Sequence, residues 1–358
     1  MLKETVGKEA VAMELDMRKM MILQAIIDDY TLTAAPIGSR TISKRHDIGL
    51  SSATIRNEMS DLEELGFLEQ PHTSAGRVPS DKAYRLYVNS IMRHASLTEK
   101  ESHYIEHYFT IALDRVEDVM RQTARAISDM TKYTSMVLGP QLSGVKLKHI
   151  QLVPVTENKA LAVIVTDAGI ARDTILYVPN GTNAGDLEKL SRMLTQRFAG
   201  MKVEDAASAI LEEMPREMRA QREFAESVIK ALRANAGFGK NNVEVSGATN
   251  LLNYPEFSNL ERMRVFLSSL EEKEVPYEML KAATKVEFSI TIGSENEQPD
   301  LKGSSVVTAT YKIGDSTTGS LGVIGPTRMD YARVLAVLRH IGKSLGDVLT
   351  NMFDTTPN

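Results

Sequence analysis

The 358-residue sequence contains no cysteine and no tryptophan. Without cysteine it has no disulfide, no thiolate metal ligand and no cysteine nucleophile. Long apolar runs are missing too: no stretch approaches the roughly 18 consecutive apolar residues that argue for a membrane span. The opening MLKETVGKEAVAMELDMRK is polar and mixed in charge, with no apolar h-region, so no secretory signal is expected. By elimination the expected location is cytoplasmic, and the first fifteen residues are expected to fray. The motifs of common enzyme classes are also lacking. There is no Walker loop, no GxSxG elbow and no GxGxxG followed by an acidic residue. GVIGP at 322–326 reads as a turn that ends a strand. No catalytic residues and no cofactor are expected, and the chain reads as a non-enzyme.

What is present fits a soluble globular protein: 42% hydrophobic residues, 25% charged residues, and 18 methionines suited to cores and interfaces that repack. The length predicts two or three domains. The net charge of −5 is unexpected for a nucleic-acid binder, but local distribution matters more than the sum. Charges are net positive from Arg40 to Arg56 and again from Arg77 to Arg93. Between them lie Glu58, Asp61, Glu63, Glu64 and Glu69. That separation predicts a helix with one end for DNA and one for the body.

Residues 19–32 carry Met20, Ile22, Leu23, Ile26, Ile27 and Tyr30 at helical spacing, with Pro36 closing the segment. A short helix is expected over 39–50, stopping at Gly49. A second runs over 51–66, capped by Ser51 or Ser52 and stopped by Gly66. FLEQ and RVPS then read as two short strands around the loop PHTSAG, and Ser80 opens a further helix. Helices are expected at 97–113 and 114–130. Three strands in a meander follow (KHIQLVPV, KALAVIVTD, ARDTILYVP), with a turn at 167–170. Helices at 184–199, 203–212 and 215–235 lead to a boundary at NAGFGKNN, 235–242. Beyond it come a helix at 258–272, three strands, a last helix over 329–351 and a loose tail.

Three helices, a tight turn and a two-stranded wing form a winged helix-turn-helix pattern at 36–80. In that geometry the second helix of the turn enters the major groove by its N-terminal end. Ser51, Ser52, Thr54, Arg56 and Asn57 are the candidate base readers, since Arg can be bidentate to guanine and Asn to adenine. Ser39, Arg40, Thr41, Lys44 and Arg45 on the preceding helix are candidate backbone contacts, joined by His72, Thr73, Ser74 and Arg77 of the wing. Gly76 is expected to let the wing backbone approach DNA. Competing readings stand beside these. One serine is a cap only, Arg56 pairs with Glu58 or Asp61, and the basic helix is an ordinary solvated face. His103 and His107 share zinc spacing, but no third ligand is evident, so no metal is expected.

The segment PIGSRTISKRHDIGLSSATIRNEMSDLEELGFLEQPHTSAGRVPSDKAYRLYV resembles the N-terminal domain of the heat-inducible transcription repressor HrcA family. GSLGVIGPTRMDYARVLAVL resembles that family's C-terminal signature. The resemblance implies a bacterial, cytoplasmic repressor of heat-shock chaperone operons, nucleoid-associated when bound. It implies a homodimer on an inverted-repeat operator (CIRCE) and support from the GroE chaperonin. It also implies an α+β multidomain fold. The expected division is a winged helix-turn-helix over 1–95, a GAF-like domain from 96–142 and 241–358, and an inserted dimerisation domain over 143–240 with a three-stranded antiparallel sheet. The other readings are a regulator that senses a small molecule in the GAF-like domain, and an enzyme carrying an accessory winged helix.

Overall fold

The computed structural model describes residues 15–72, 75–92, 95–109, 115–141, 146–167, 171–203, 205–206, 209, 227–228, 243–283, 286–313 and 317–354. Several sequence expectations lie outside these residues. They are the opening fourteen, Thr73 and Ser74, most of the 167–170 turn, six residues of the helix at 203–212, nearly all of that at 215–235, NAGFGKNN, and the last four.

Helix α1 (Met17–Thr33) starts at Asp16, whose carboxylate accepts from the Lys19 amide at 2.8 Å. Its apolar stripe buries Ile22, Leu23, Ile26 and Ile27, each contributing on the order of 1.5–3 kcal/mol relative to exposure. Ala34, left-handed at φ 54°, ends the helix two residues before Pro36. Helix α2 (Ser39–Arg45) is shorter than the 39–50 expected, because His46 is already extended. Gly49, at φ 71°, sits in the left-handed region that favours glycine. Helix α3 (Ser52–Glu64) follows, capped by Ser51. Strand β1 (Leu68–Glu69) then pairs antiparallel with β2 (Val78–Pro79), and α4 (Asp81–Leu86) runs into one wide turn, Tyr87–Ile91.

Two helices, α5 (Glu99–Phe109) and α6 (Val116–Thr131), lead to β3 (Thr134–Gln141). The chain next forms β4 (Leu147–Thr156), β5 (Lys159–Thr166), β6 (Ala171–Tyr177) and α7 (Ala184–Phe198). It returns through β7 (Val243–Ser246), α8 (Leu260–Glu271), α9 (Glu274–Ala283), β8 (Phe288–Ile292), β9 (Ser304–Ile313), β10 (Thr317–Pro326) and α10 (Tyr331–Asp354). The result is a mixed α/β fold with several sheets.

The largest sheet is antiparallel, in the order β7-β3-β10-β9-β8. Helices α6 and α10 pack on one face and α9 on the other. Alternation along β9 explains this. Val307, Ala309 and Tyr311 face the α6/α10 core, while Val306 joins the core beneath α8 and α9. A separate sheet, β4-β5-β6, has its own core with α7, in which Ala160, Ala162 and Ile164 of β5 are buried. Sequence reading missed β3, β7 and α9. GVIGP does end a strand, as expected, but it is not a turn: it is paired to the last residue of β10, with Gly325 opposite Ser305 and Pro326 opposite Ser304.

The N-terminal helices share their core with the α6/α10 face of the large sheet, and Tyr84 rests on Tyr331 at 6.1 Å between ring centroids. Polar ties reinforce this. Arg85 donates to Glu295 at 2.7 Å and to the Ile290 carbonyl at 2.6 Å. The Asp81 carboxylate accepts from the Ser294 amide at 2.8 Å. Arg328, 9% exposed, donates to the Thr31 carbonyl at 2.9 Å and pairs with Glu256.

Candidate nucleic-acid interface

Helix α3 presents its N-terminal end beside α2 and the short ribbon. Ser51 Oγ accepts from the Thr54 amide at 3.1 Å and lies 2.9 Å from Thr54 Oγ1. Ser52 Oγ sits 3.2 Å from Ser39 Oγ, joining the two helices. Three of the expected contact serines thus also hold the helices in place. Helical spacing leaves Ala53, Arg56, Asn57 and Ser60 exposed together on one side, while Ile55, Met59 and Leu62 are buried on the other.

The carboxylates of α3 decide which cations stay free. Glu58, almost buried, binds Lys19 at 2.7 Å and Arg18 at 3.5 Å. Asp61 binds the same Lys19 at 2.9 Å. These two acceptors hold the Lys19 ammonium above the usual lysine range. With both acids engaged by α1, Arg56 has no ion pair among the described residues, and neither do Arg40 or Lys44. The expected charge separation takes this concrete form, and pairing of Arg56 with Glu58 or Asp61 does not occur.

Two other expected cations are held by carboxylates. Arg45 lies 3.4 Å from the buried Asp29, which is also 3.4 Å from His46. Arg77 pairs with Glu63 at 2.7 Å. Sequence reading missed both partners, since no periodic rule links Arg77 to Glu63 or Arg45 to Asp29. Thr41 is half-buried and His72 exposed; Thr73 and Ser74 lie outside the described residues.

The ribbon is rooted by a second pairing that also went unforeseen. Ile37 and Arg77 exchange both backbone hydrogen bonds at 2.9 Å. Gly76 is glycine because a Cβ there would stand 2.4 Å from the Ile37 carbonyl oxygen. The close approach seen here is to the protein's own backbone. Between the ribbon root and α3 lies a polar cleft of about 540 Å³ that Arg40, Arg56 and Arg77 line. An arginine-lined cleft next to a helix N-terminus suits phosphate oxygens, through charge-assisted hydrogen bonds and the helix dipole.

Other candidate positions carry less. His103 pairs with Glu106 at 3.1 Å on an exposed helix face. No group of three His, Asp or Glu side chains that could hold a metal occurs among the described residues. Also among them, no helix is long and apolar enough to cross a membrane.

Comparison with known proteins adds an independent line. Residues 117–335 match the family model described as the HrcA protein C terminal domain. The chain is 41% identical over 337 residues to the heat-inducible transcription repressor HrcA of Halalkalibacterium halodurans, covering 94% of this chain and 98% of that one. It is 39% identical over 342 residues to the protein of that name from Alkaliphilus metalliredigens, covering 95% and 100%. Among solved structures, the crystal structure of a hypothetical protein superposes with a TM-score of 0.65 at 24% identity, covering 94% and 99%. That likeness speaks to the fold.

Proposed function

The chain belongs to the HrcA family of heat-inducible transcription repressors, and from that premise we propose that it represses heat-shock chaperone operons by binding an inverted-repeat DNA operator as a homodimer. Residues 36–80 act as a winged helix-turn-helix: α3 is the recognition helix, α2 the backbone-crossing helix and the β1–β2 ribbon the wing. The observation that carries this reading is the pair of cations without an ion pair among the described residues, Arg40 and Arg56, that line the cleft between α3 and the ribbon, with Lys44 exposed on the same helix as Arg40. Arg56 and Asn57 read base edges, and Ser51, Ser52 and Thr54 order the helix end and can reach phosphate. Arg40 and Lys44 position the backbone, and Arg77 joins them where its pairing with Glu63 leaves hydrogens free.

With a net charge of −5, the rest of the chain does not grip DNA electrostatically, so a single module has a small footprint. A two-fold dimer doubles it and places the recognition helices about 34–36 Å apart on successive major grooves. The support for a dimer is the face of the β4-β5-β6 sheet away from α7. There Val155, Ile175 and Tyr177 are 54%, 58% and 64% exposed, beside Leu161 and Val163. Such an open apolar sheet face is a natural partner for its own copy. In this reading 143–240 is an inserted dimerisation domain, and 96–142 with 241–358 is a GAF-like body. Repression is steric, and heat shifts the population away from the binding-competent dimer when the GroE chaperonin is occupied elsewhere. Binding to an inverted-repeat duplex, against a scrambled duplex at fixed salt and with or without chaperonin, tests this. Equal affinity for the two duplexes refutes sequence-specific repression.

A further inference from the structure

On the sheet face that carries α8 and α9, α9 packs against β3 and β10 and overlaps β9 only in part. Over the outer strands a cleft of about 480 Å³ remains. Its floor is made of hydroxyls. Ser289 and Thr291 of β8 lie beside Thr308 of β9, with Ser289 and Thr308 in register. Thr308 is 4% exposed, and its Oγ1 has no hydrogen-bond partner. Its methyl is turned toward Gly322 on β10, which leaves the hydroxyl for the β8 side, where the cleft lies. A buried, unsatisfied hydroxyl costs free energy that a bound polar group recovers.

The charged residues that line this cleft are all acidic, although Lys281 stands 3.9 Å from Glu278 at its margin. Glu278, Glu295 and Glu297 line it, and no Lys, Arg or His does. Met279, Leu301 and Val306 supply an apolar wall. Carboxylates and hydroxyl oxygens around an apolar wall match a primary ammonium on a short apolar body, since an ammonium brings three donors and no acceptor. Glu295 has a second task at this place. It accepts from Arg85 of α4 and from the Ile292 amide at 2.8 Å. The loop that carries it is pinned by Asn296, which donates to the carbonyls of Gly293 and Ser304 at 2.9 Å.

We propose that this cleft binds a small organic ammonium compound and that occupancy loosens the Arg85–Glu295 tie to the N-terminal module. The site stands on its own geometry; its effect on operator binding rests on the repressor reading above. The ammonium competes with Arg85 for Glu295, so the module gains freedom when the cleft fills.

The test uses the full chain titrated with n-hexylammonium chloride, and with n-hexanoate and n-hexanol at matched ionic strength, by calorimetry. Saturable binding is expected for the ammonium alone. The double variant Glu278→Gln/Glu297→Gln is expected to weaken it by roughly tenfold, the scale of a lost charge-assisted contact. Thr308→Val keeps the side-chain shape and weakens it by roughly threefold. Unchanged melting curves show that both variants fold. Equal binding of hexanoate, or full-strength binding by the double variant, overturns the site. Hydrogen exchange in 81–91 is expected to quicken on saturation, and not in Glu295→Gln, where the tie is already weak. Unchanged exchange at saturation overturns the coupling. Failure to bind operator with or without the ammonium refutes the repressor reading instead, and leaves the titration and exchange results standing.

Discussion

Replacing Gly76 by alanine tests how the ribbon is built and what it is for. The new Cβ would lie 2.4 Å from the Ile37 carbonyl oxygen and 2.5 Å from its carbon. Both are backbone atoms and cannot swing aside. The chain can bear the clash or release the Ile37–Arg77 pairing. Overpacking of this kind costs about 1–3 kcal/mol when neighbours can relax. At such a distance relaxation means separating the strands, which forfeits two backbone hydrogen bonds of about 0.5–1.5 kcal/mol each. Both routes lead to about 1–3 kcal/mol, taken locally at the ribbon root. If the ribbon must be seated for DNA binding, that becomes a loss of roughly 5- to 150-fold in operator affinity. Fluorescence anisotropy with an inverted-repeat duplex measures it, and exchange of the Ile37 and Arg77 amides reports the pairing. Gly38→Ala, beside Ile37 on the other side of the same pairing, is the control, because a Cβ there meets nothing within 4 Å. Fast amide exchange with unchanged operator affinity would show that the ribbon does not take part in binding. Slow exchange in the variant would show the steric argument to be wrong.

Three further outcomes follow from the same contacts. Arg56→Ala is expected to cost about 1–3 kcal/mol of discrimination between operator and scrambled duplex. Lys44→Ala should weaken both alike and lower the salt slope by about one; the reverse pattern in a binding isotherm series would exchange the roles of α2 and α3. Arg328→Met removes the donor to the Thr31 carbonyl and the Glu256 pair, for a loss of about 1.5–3 kcal/mol seen as faster exchange at the end of α1. At high pH, burial holds the phenols of Tyr84, Tyr133, Tyr311 and Tyr331 above their ordinary value and pushes Tyr87 up to about 12. Because the folded chain keeps these protons longer than the unfolded one, their contribution is complete below roughly pH 10 and is lost as pH rises further. Urea midpoints should therefore fall steadily above roughly pH 10, and a flat profile would contradict the burial of these rings.

Local signals make much of the N-terminal region readable from its residues alone. The stripe at Ile22, Leu23, Ile26 and Ile27, the cap at Ser51 and the stop at Gly66 each act within one turn of the chain. Distant pairing hides the rest. The VEVS of β7 is a strand because Ser246 pairs with Ser135 and Val243 with Leu138, partners more than a hundred residues away. Helix α9 carries Pro276 in its first turn, where the missing N–H is no loss, yet from sequence the proline looks like a break. At the interface, residue types and positions are legible, but the split between free and engaged cations is not. It depends on α1 delivering Lys19 to Glu58 and Asp61, which leaves Arg56 without a counter-ion.

The order of strands in the large sheet bears on how this chain could have been assembled. The polypeptide departs from β3 after Gln141 and rejoins at β7 from Val243, and these two strands are hydrogen-bonded neighbours with Leu138 opposite Val243. Exit and re-entry therefore lie as close together as the two arms of a hairpin. If 143–240 is the inserted domain proposed above, a segment of any length between these strands would leave the body's register untouched. On that proposed reading, the body could accept, exchange or dispense with such a cassette without relearning its own fold.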